Sequence, residues 1–210
     1  LELTETLREG KTEGSLLGIV DKTQTPMGKR LLRNWVNKPL LDIERINQRL
    51  DAVAYFYERG VERKQIAELL KQFHDLERLV TRLVNGSARP NDLVALREDL
   101  GALPALIGLL ESEHPALSPI LEGWNTYDNE LELLEKSISD EPPATLNTIG
   151  LIREGFSEEL DQVVDSSKHA REWINSLESS ERQRTGLKTL RVGFNKVFGY
   201  YIEISRGLAD

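Results

Sequence analysis

A short basic stretch near the C-terminal end carries the side chains best suited to contacts with phosphate groups. Between Leu187 and Arg206 four residues are cationic and one is acidic, which gives this stretch a net charge of +3 in a chain whose total is −8. Clustered cations can contact nucleic-acid phosphates although the whole chain is acidic, because the basic part is attracted while the remainder is repelled. An ordinary solvated surface is the alternative interpretation. The candidate DNA-binding residues are Lys188, Arg191, Asn195, Lys196 and Arg206.

The same stretch is rich in aromatic side chains, and the sequence leaves two roles open for them. Rings beside cations are suited to stacking on unpaired bases. Rings that alternate along a strand are equally suited to the apolar face of a small sheet. The residues concerned are Phe194, Phe198, Tyr200 and Tyr201.

The segment from Asp21 to Thr25 is a second candidate for chemistry, since it resembles the aspartyl-phosphate signature of P-type ATPases. Gln24 replaces the glycine of that signature, and the sequence predicts neither the α/β domain nor the membrane helices that it requires. Thr23 or Thr25 is better suited to capping a helix that begins at Pro26. An enzymatic role for Asp21 therefore ranks last among the hypotheses.

The three histidines have no metal-ligand spacing, and we expect neither a catalytic residue nor a metal site.

Two periodicities in succession predict how the basic stretch is positioned. From Ser157 to about Arg184, apolar or small residues recur at alternating gaps of three and four, as in the seam of a coiled coil. Beyond Gly186 the pattern becomes the alternation of strands, with a turn between Asn195 and Gly199. The sequence therefore predicts a long helix followed by an antiparallel hairpin. The seam residues are Leu160, Val163, Ser167, Ala170, Ile174 and Leu177.

The sequence before the predicted long helix and hairpin is expected to fold into a set of helices. Capping residues, prolines and apolar spacing place them at about residues 26–37, 42–59, 61–73, 75–84, 90–110, 115–124 and 128–139. Residues 15–20 are expected to form a helical turn or a buried strand, and Pro104 is expected to bend or divide its helix. The fold class is mainly α: a multi-helix core with a long coiled-coil-like helix that ends in a small antiparallel β hairpin. Apolar residues expected to face inward in the second of these helices are Ile43, Ile46, Leu50, Val53 and Ala54.

Composition limits the classes of protein that are possible. Of 210 residues 39% are hydrophobic and 30% are charged, which is typical of a globular chain. The absence of cysteine excludes disulfides and is consistent with a reducing cytoplasm, where we expect the protein to be located. No apolar run approaches the roughly 20 residues that span a bilayer, so no membrane partner is expected. Because the chain begins without methionine and stops just after a predicted strand, we expect it to be a piece of a larger protein.

Two groups of residues resemble the MutS family of DNA mismatch-repair proteins. The first is DKTQTPMGKRLLRNW from Asp21 to Trp35, with Pro39-Leu40 and the segment Ile46 to Val53 after it. The second surrounds the long helix and comprises Ile152 to Phe156, Gly193 to Lys196 and Gly199 to Ser205. The order is that of the family and the combination is specific. On these residues the chain is identified as a member of the family, covering its core and lever domain and the start of its clamp.

The resemblance implies a lever in a protein that closes around double-stranded DNA as a homodimer. In that family, levers connect an ATPase domain to clamps that touch the duplex backbone without reading its sequence. Residues 1–156 would form the helical body, 157–186 the lever helix and 187–210 the N-terminal part of the clamp. The mismatch-reading motif and the Walker motifs belong to other domains of the family. The chain itself is therefore expected to be no enzyme and to hold no cofactor, whereas ATP and magnesium would belong to the parent protein.

In the family a second long helix returns beside the first, and it would follow Asp210. The seam would then lack its partner, so we expect the chain to self-associate through it. The alternative function is of a different class: a helical protein-interaction module without direct DNA contact. Salt distinguishes the two, because phosphate contacts weaken with salt and apolar helix pairing changes little. The residues expected to mediate self-association are Leu160, Val163, Ile174 and Leu177.

Overall fold

The structure is a computed structural model that describes residues 2–110, 114–146, 148–195, 197 and 199–205. These residues form nine helices and one antiparallel two-stranded sheet, so the predicted fold class is confirmed. The helices are α1 (Leu16–Val20), α2 (Pro26–Asn37), α3 (Ile43–Glu58), α4 (Gly60–Leu70), α5 (Leu76–Val84), α6 (Pro90–Leu110), α7 (Ser118–Leu121), α8 (Asp128–Ser137) and α9 (Glu158–Thr185). The strands are β1 (Arg191–Asn195) and β2 (Gly199–Glu203).

The chain divides into two compact units, Leu1–Arg153 and Glu154–Asp210. The first contains α1 to α8 and is called the body below. The second contains α9 and the hairpin and is called the arm. The finer division predicted from the sequence, with boundaries after residues 156 and 186, stays a prediction.

Capping side chains explain where the longer helices of the body begin. The Thr25 hydroxyl accepts a hydrogen bond from the Gly28 N–H at 3.0 Å, and Pro26 occupies the first turn of α2, where its missing N–H is not needed. The Asp42 carboxylate accepts from the N–H groups of Glu44 and Arg45 at the start of α3. Such caps satisfy backbone donors that have no partner within the helix. Both starts are as predicted from the sequence.

The core of the body lies where α3, α4, α6 and α7 meet. One cluster of buried side chains joins Phe73 to Leu106 and Leu110 of α6, and a second joins Tyr55 of α3 to Ala116 and Leu117. Phe56 and Leu121 pack against both clusters and connect them. The helices are thus positioned mainly by burial of apolar side chains, the dominant favourable contribution to folding.

Arginine–carboxylate pairs connect helices at the edges of this core. Arg30 of α2 donates two hydrogen bonds to Asp75, at 2.6 and 2.7 Å, and contacts Glu77 of α5 as well. Arg82 of α5 makes a two-point contact with Asp92 of α6. These contacts hold the pKa values of Asp75 and Asp92 below their ordinary range, with the arginine hydrogen bonds as the main cause. Two-point geometry fixes the direction of approach as well as the distance, so these pairs orient α5 against both neighbours.

The face of α3 that the sequence predicted to be buried is directed outward. Ile43, Leu50 and Val53 are 74%, 58% and 63% exposed, and Ala54 is exposed as well. The buried side chain of the helix is Tyr55, with Phe56 packed beside it. The prediction was wrong because α3 has a second apolar face, and periodicity alone does not say which face the chain covers.

Two smaller predictions about the body are also corrected. The helix α6 continues past Pro104, so the proline does not divide it, and a bend at the proline stays a prediction. The predicted helix at residues 115–124 is reduced to the four residues of α7. Residues 15–20, left open between turn and strand, form the short helix α1 with Ser15 as its cap.

Candidate nucleic-acid interface

The long helix α9 is stabilised by capping and charges at its two ends and little by burial of side chains. Ser157 caps its first turn by accepting from the Leu160 N–H at 3.3 Å, and acidic residues follow in that turn. Basic residues lie in its last turn, and Gly186 closes it at φ 74°, with its N–H donated to the Arg182 carbonyl. Charges of these signs oppose the helix dipole at both ends. At 1.5 Å per residue, 28 residues extend about 42 Å.

The predicted seam of α9 is accessible to a partner. Leu160 and Val163 are exposed, and Ile174 and Leu177 are half-buried. None of the described side chains of this helix is fully buried. The seam residues therefore form an apolar stripe, with the neighbouring Trp173 also exposed.

The hairpin has one polar and one apolar face. The register pairs Val192 with Ile202 and Phe194 with Tyr200, and the Phe194 and Tyr200 rings contact each other at 4.9 Å between centroids. The two rings therefore belong to the apolar face of the sheet, but both remain largely exposed, so stacking on unpaired bases stays open as a second role. Residues of the other face alternate with them along each strand.

Glycine at residue 193 makes room for a tyrosine ring on the polar face of the hairpin. The Tyr201 ring of β2 lies directly over Gly193 of β1, and a Cβ placed there would meet Tyr201 Cζ at 2.7 Å. A larger residue at this position would displace the ring. Tyr201 therefore lies opposite the middle residue of β1, on the face that carries Arg191 and Asn195.

The structure places three of the five predicted contact residues. Arg191 and Asn195 are exposed at the two ends of β1, and Lys188 is exposed in the turn before it. The Asn195 side chain accepts from the Val197 N–H at 2.8 Å, so it shapes the hairpin turn. Arg191 lies opposite Glu203 in the register, which reduces the positive charge of that end. The other two predicted residues, Lys196 and Arg206, lie outside the described residues.

Two residues that the sequence did not single out connect α9 to the hairpin. The Glu178 carboxylate accepts from the Val192 N–H at 3.0 Å, and Arg182 Nε donates to the Leu190 carbonyl at 2.7 Å. Arg182 and Glu178 also contact each other at 2.8 Å, and Leu190 is buried. The four residues are called the joint below. Their spacing of four in the sequence indicates only an ion pair along a helix, so nothing in it points to the strand.

Asp21 takes part in a turn. Its carboxylate accepts from both the N–H and the hydroxyl of Thr23, at 3.0 and 2.6 Å, and Lys29 is 3.9 Å away. These hydrogen bonds from Thr23 are the main reason that the pKa of Asp21 is held below its ordinary value. The carboxylate thus orders the segment that leads into α2, and of the two capping candidates from the sequence, Thr25 caps the helix.

A buried carboxylate fastens the connection between α4 and α5. Asp99 of α6 is 1% exposed, and its Oδ1 accepts from the backbone N–H of His74 at 2.9 Å and contacts His74 Nδ1 at 3.0 Å. Glu98 lies 3.9 Å from the other ring nitrogen. The geometry anchors a backbone corner, since one carboxylate oxygen serves both the ring and the main chain.

Other features of the described residues offer little for chemistry. No group of three histidine, cysteine or acidic side chains among them could hold a metal ion. A cavity of about 910 Å³ in the body is lined mostly by apolar side chains such as Phe73, Leu103 and Trp124. In the part of the chain that the structure covers, no helix combines the length and apolarity needed to cross a membrane.

The fold defines a class of mainly α proteins whose last long helix is followed by a small antiparallel hairpin. A family model described as MutS domain III matches residues 1–205. The chain therefore belongs to the MutS family, within which it corresponds to domain III, and the resemblance found in the sequence is confirmed.

Full relatives agree with this assignment. The chain is 44% identical to the DNA mismatch repair protein MutS of Acetivibrio thermocellus and 46% identical to that of Alkaliphilus oremlandii, each over 207 residues. It is 43% identical over 209 residues to the protein of the same name from Methanothrix thermoacetophila. In each case 98% of this chain is covered, but only 24% of the relative. The chain thus spans about a quarter of the length of these proteins.

Proposed function

We propose that the chain is the lever and first clamp segment of a MutS-type mismatch-repair ATPase. Its body would receive the rearrangement driven by the nucleotide state, and α9 would carry that movement to a hairpin that contacts the DNA backbone. The parent protein would act as a homodimer on double-stranded DNA, with ATP and magnesium held by its other domains. The chain itself would catalyse nothing. A cytoplasmic location remains part of this proposal.

The joint is the observation that carries the proposal. A helix can move a hairpin as a rigid body only if their connection resists bending. Glu178 and Arg182 lie one turn apart on α9. They bind backbone groups at the start of β1, namely the Val192 N–H and the Leu190 carbonyl. Charge-assisted hydrogen bonds of this kind are roughly twice as strong as neutral ones. The joint would therefore transmit the movement of α9 to β1.

DNA contact would come from the polar face of the hairpin and the turn before it. Lys188, Arg191 and Asn195 are exposed there, and Lys196 and Arg206 follow in the sequence. Cations and amides at these places would contact phosphates, which positions a protein without reading sequence. That is the behaviour expected of a clamp that acts at many sites.

Titration with a short duplex tests the DNA contact. At low salt, amide signals of residues 188–205 should shift and those of the body should not, equally with and without a mispair. Arg191→Ala should weaken binding and reduce the slope of log affinity against log salt by about 0.9. Arg184→Ala is the matched control, because Arg184 is exposed on α9 and paired with Glu181. An intact hairpin that shows no shifts would contradict the proposal.

The joint is tested by measuring distances within the arm. The chain has no cysteine, so spin labels can be placed at Lys168→Cys and Val197→Cys alone. Arg182→Ala should broaden the distance distribution between the labels, because the hairpin then pivots at Leu190. Arg184→Ala should leave it narrow. Equal distributions in the two variants would mean that the joint does not hold the hairpin, whether or not the hairpin binds DNA.

The alternative is a helical protein-interaction module, and the exposed seam of α9 favours it. We propose that the isolated chain self-associates through Leu160, Val163, Ile174 and Leu177. Val163→Glu should then return the chain to a monomer in light scattering at high concentration, whereas Lys168→Glu, off the seam, should not. A monomeric wild-type chain would exclude self-association. If partner binding by α9 proved insensitive to salt while duplex binding was absent, the interaction module would replace the lever and clamp.

A further inference from the structure

The helix α3 carries an exposed seam of its own, on the side turned away from the core. Its residues recur at gaps of three, four, three and four: Ile43, Ile46, Leu50, Val53 and Tyr57. Four of the five are exposed, Tyr57 by 81%, and Ile46 is half-buried. This is the spacing that packs one helix against another.

The seam and the core-facing side of α3 lie on roughly opposite sides of the helix. At 3.6 residues per turn, Ala52 and Arg59 lie about half a turn around the helix from Leu50. Ala52 and Arg59 are half-buried, Phe56 packs into the core, and Tyr55 is buried close to that side. A helix that is apolar on two opposite sides is typical of one that lies between two partners. The body supplies one of them.

The position of the seam is fixed by contacts at its edge. Arg49, which flanks Leu50, has its guanidinium carbon 3.6 Å from the centroid of the Trp35 ring on α2. Asp42 caps the start of α3, as described above. The burial of Tyr55 and the Arg49–Trp35 contact set the rotation of α3, so the seam is presented outward by the fold.

We infer that the α3 seam is the docking site for a helix of the same polypeptide that lies outside these 210 residues. The 3–4 spacing selects a helix with a matching apolar stripe. Asn47 and Ala54 flank the seam on one side without charge, and on the other side the Arg49 guanidinium is engaged with Trp35, so recognition would rest mainly on apolar packing. The relatives are about four times as long as this chain, which provides the additional polypeptide.

A second copy fits the seam less well. A 16-residue helix offers a strip about 24 Å long and 10 Å wide, so two copies would cover about 500 Å² between them, against the roughly 1,200–2,000 Å² of stable interfaces. A helix of the same chain has no such requirement, since its contact with the seam is intramolecular.

Thiol labelling in the full-length protein tests this docking. Leu50→Cys places a thiol on the seam, and Asp51→Cys places a control thiol on the next residue, which is also exposed. In the 210-residue chain both should react with a maleimide at similar rates. In the full-length protein, the rate at residue 50 should fall about tenfold or more relative to residue 51, at every protein concentration. The rates are followed by mass spectrometry of the peptide that carries the substitution.

Two results would overturn the inference. Equal rates at residues 50 and 51 in the full-length protein would show that nothing covers the seam. Protection that appears only as protein concentration rises would assign the seam to a second copy. Val53→Cys is the second seam variant, for use if circular dichroism shows that Leu50→Cys disturbs the fold. A benzophenone maleimide attached at either seam position should yield a product of monomer mass, and a dimer-mass product would again identify a second copy.

Discussion

The body and the arm are stabilised in different ways. In the body, apolar side chains of several helices are buried together and arginines connect neighbouring helices. In the arm, Leu190 is the one described hydrophobic side chain that is buried, and α9 depends on its caps and on pairs within the helix. The body should therefore respond to cavities, and the arm to changes at its termini and at the joint. A unit of the second kind is expected to open more easily.

The largest expected difference comes from removing an apolar side chain in each region. Leu106→Ala removes a buried side chain that packs with Phe73 and Leu110, and should lower the free energy of unfolding by about 2–5 kcal/mol. Val163→Ala, on the exposed seam of α9, should change it by about 0.5 kcal/mol or less. Urea unfolding followed by circular dichroism measures both. If the two variants lost similar free energies of unfolding, α9 would be stabilised by buried apolar side chains as the body is, and the proposed difference between body and arm would be wrong.

A smaller effect is expected from the buried carboxylate of the body. Asp99→Ala leaves the His74 N–H without its partner, so the free energy of unfolding should fall by about 1–3 kcal/mol. Glu98→Ala changes the neighbouring, exposed carboxylate and should cost no more than about 0.5 kcal/mol. Equal costs would show that Asp99 does not anchor the α4–α5 connection. Urea unfolding of both variants at pH 7 decides between these outcomes.

Glycine substitutions should act in opposite directions in the two regions. Gly186→Ala puts a side chain at φ 74°, where α9 ends, and should destabilise that end by about 1 kcal/mol. Gly101→Ala lies inside α6 with no atom within 4 Å of the new Cβ, and should stabilise the body by about 0.5–1 kcal/mol. Amide hydrogen exchange in the last turn of α9 and in α6 reports each effect locally. Slower exchange at α9 after Gly186→Ala would contradict this account.

The smallest effect concerns acid. Because Arg82 holds the pKa of Asp92 below the ordinary 3.8, that pair contributes stability above pH 3.8 and loses it as the pH falls further toward the folded pKa. Asp92→Asn should be less stable than the wild type at pH 6 and should lose less additional stability on going to pH 3. Glu181→Gln, which removes the half-buried partner of the exposed Arg184 in the arm, should change this decline less, because solvent around the arginine screens that pair. If Asp92→Asn lost as much stability between pH 6 and pH 3 as the wild type does, the Arg82–Asp92 pair would not contribute to the acid sensitivity of the body.

Features with local causes were predicted well. Thr25, Asp42 and Ser157 begin their helices and Gly186 ends one, because each acts on backbone groups within a few residues. The switch from helical to strand spacing after Gly186 placed the hairpin for the same reason. Of the candidate contact residues, Lys188, Arg191 and Asn195 are at the exposed positions expected, and their contact with DNA stays a prediction.

The remaining features depend on residues that are distant in the sequence. The amino-acid sequence by itself determined the family, the helical class and the helix ends, because motifs and caps are short-range patterns. Only the tertiary structure decided that the α3 seam faces outward, that Asp99 reaches His74 and that Glu178 and Arg182 hold β1. Apolar spacing shows that a helix face must be covered, but the covering side chains come from other elements, and possible partners are too numerous for spacing to choose among them.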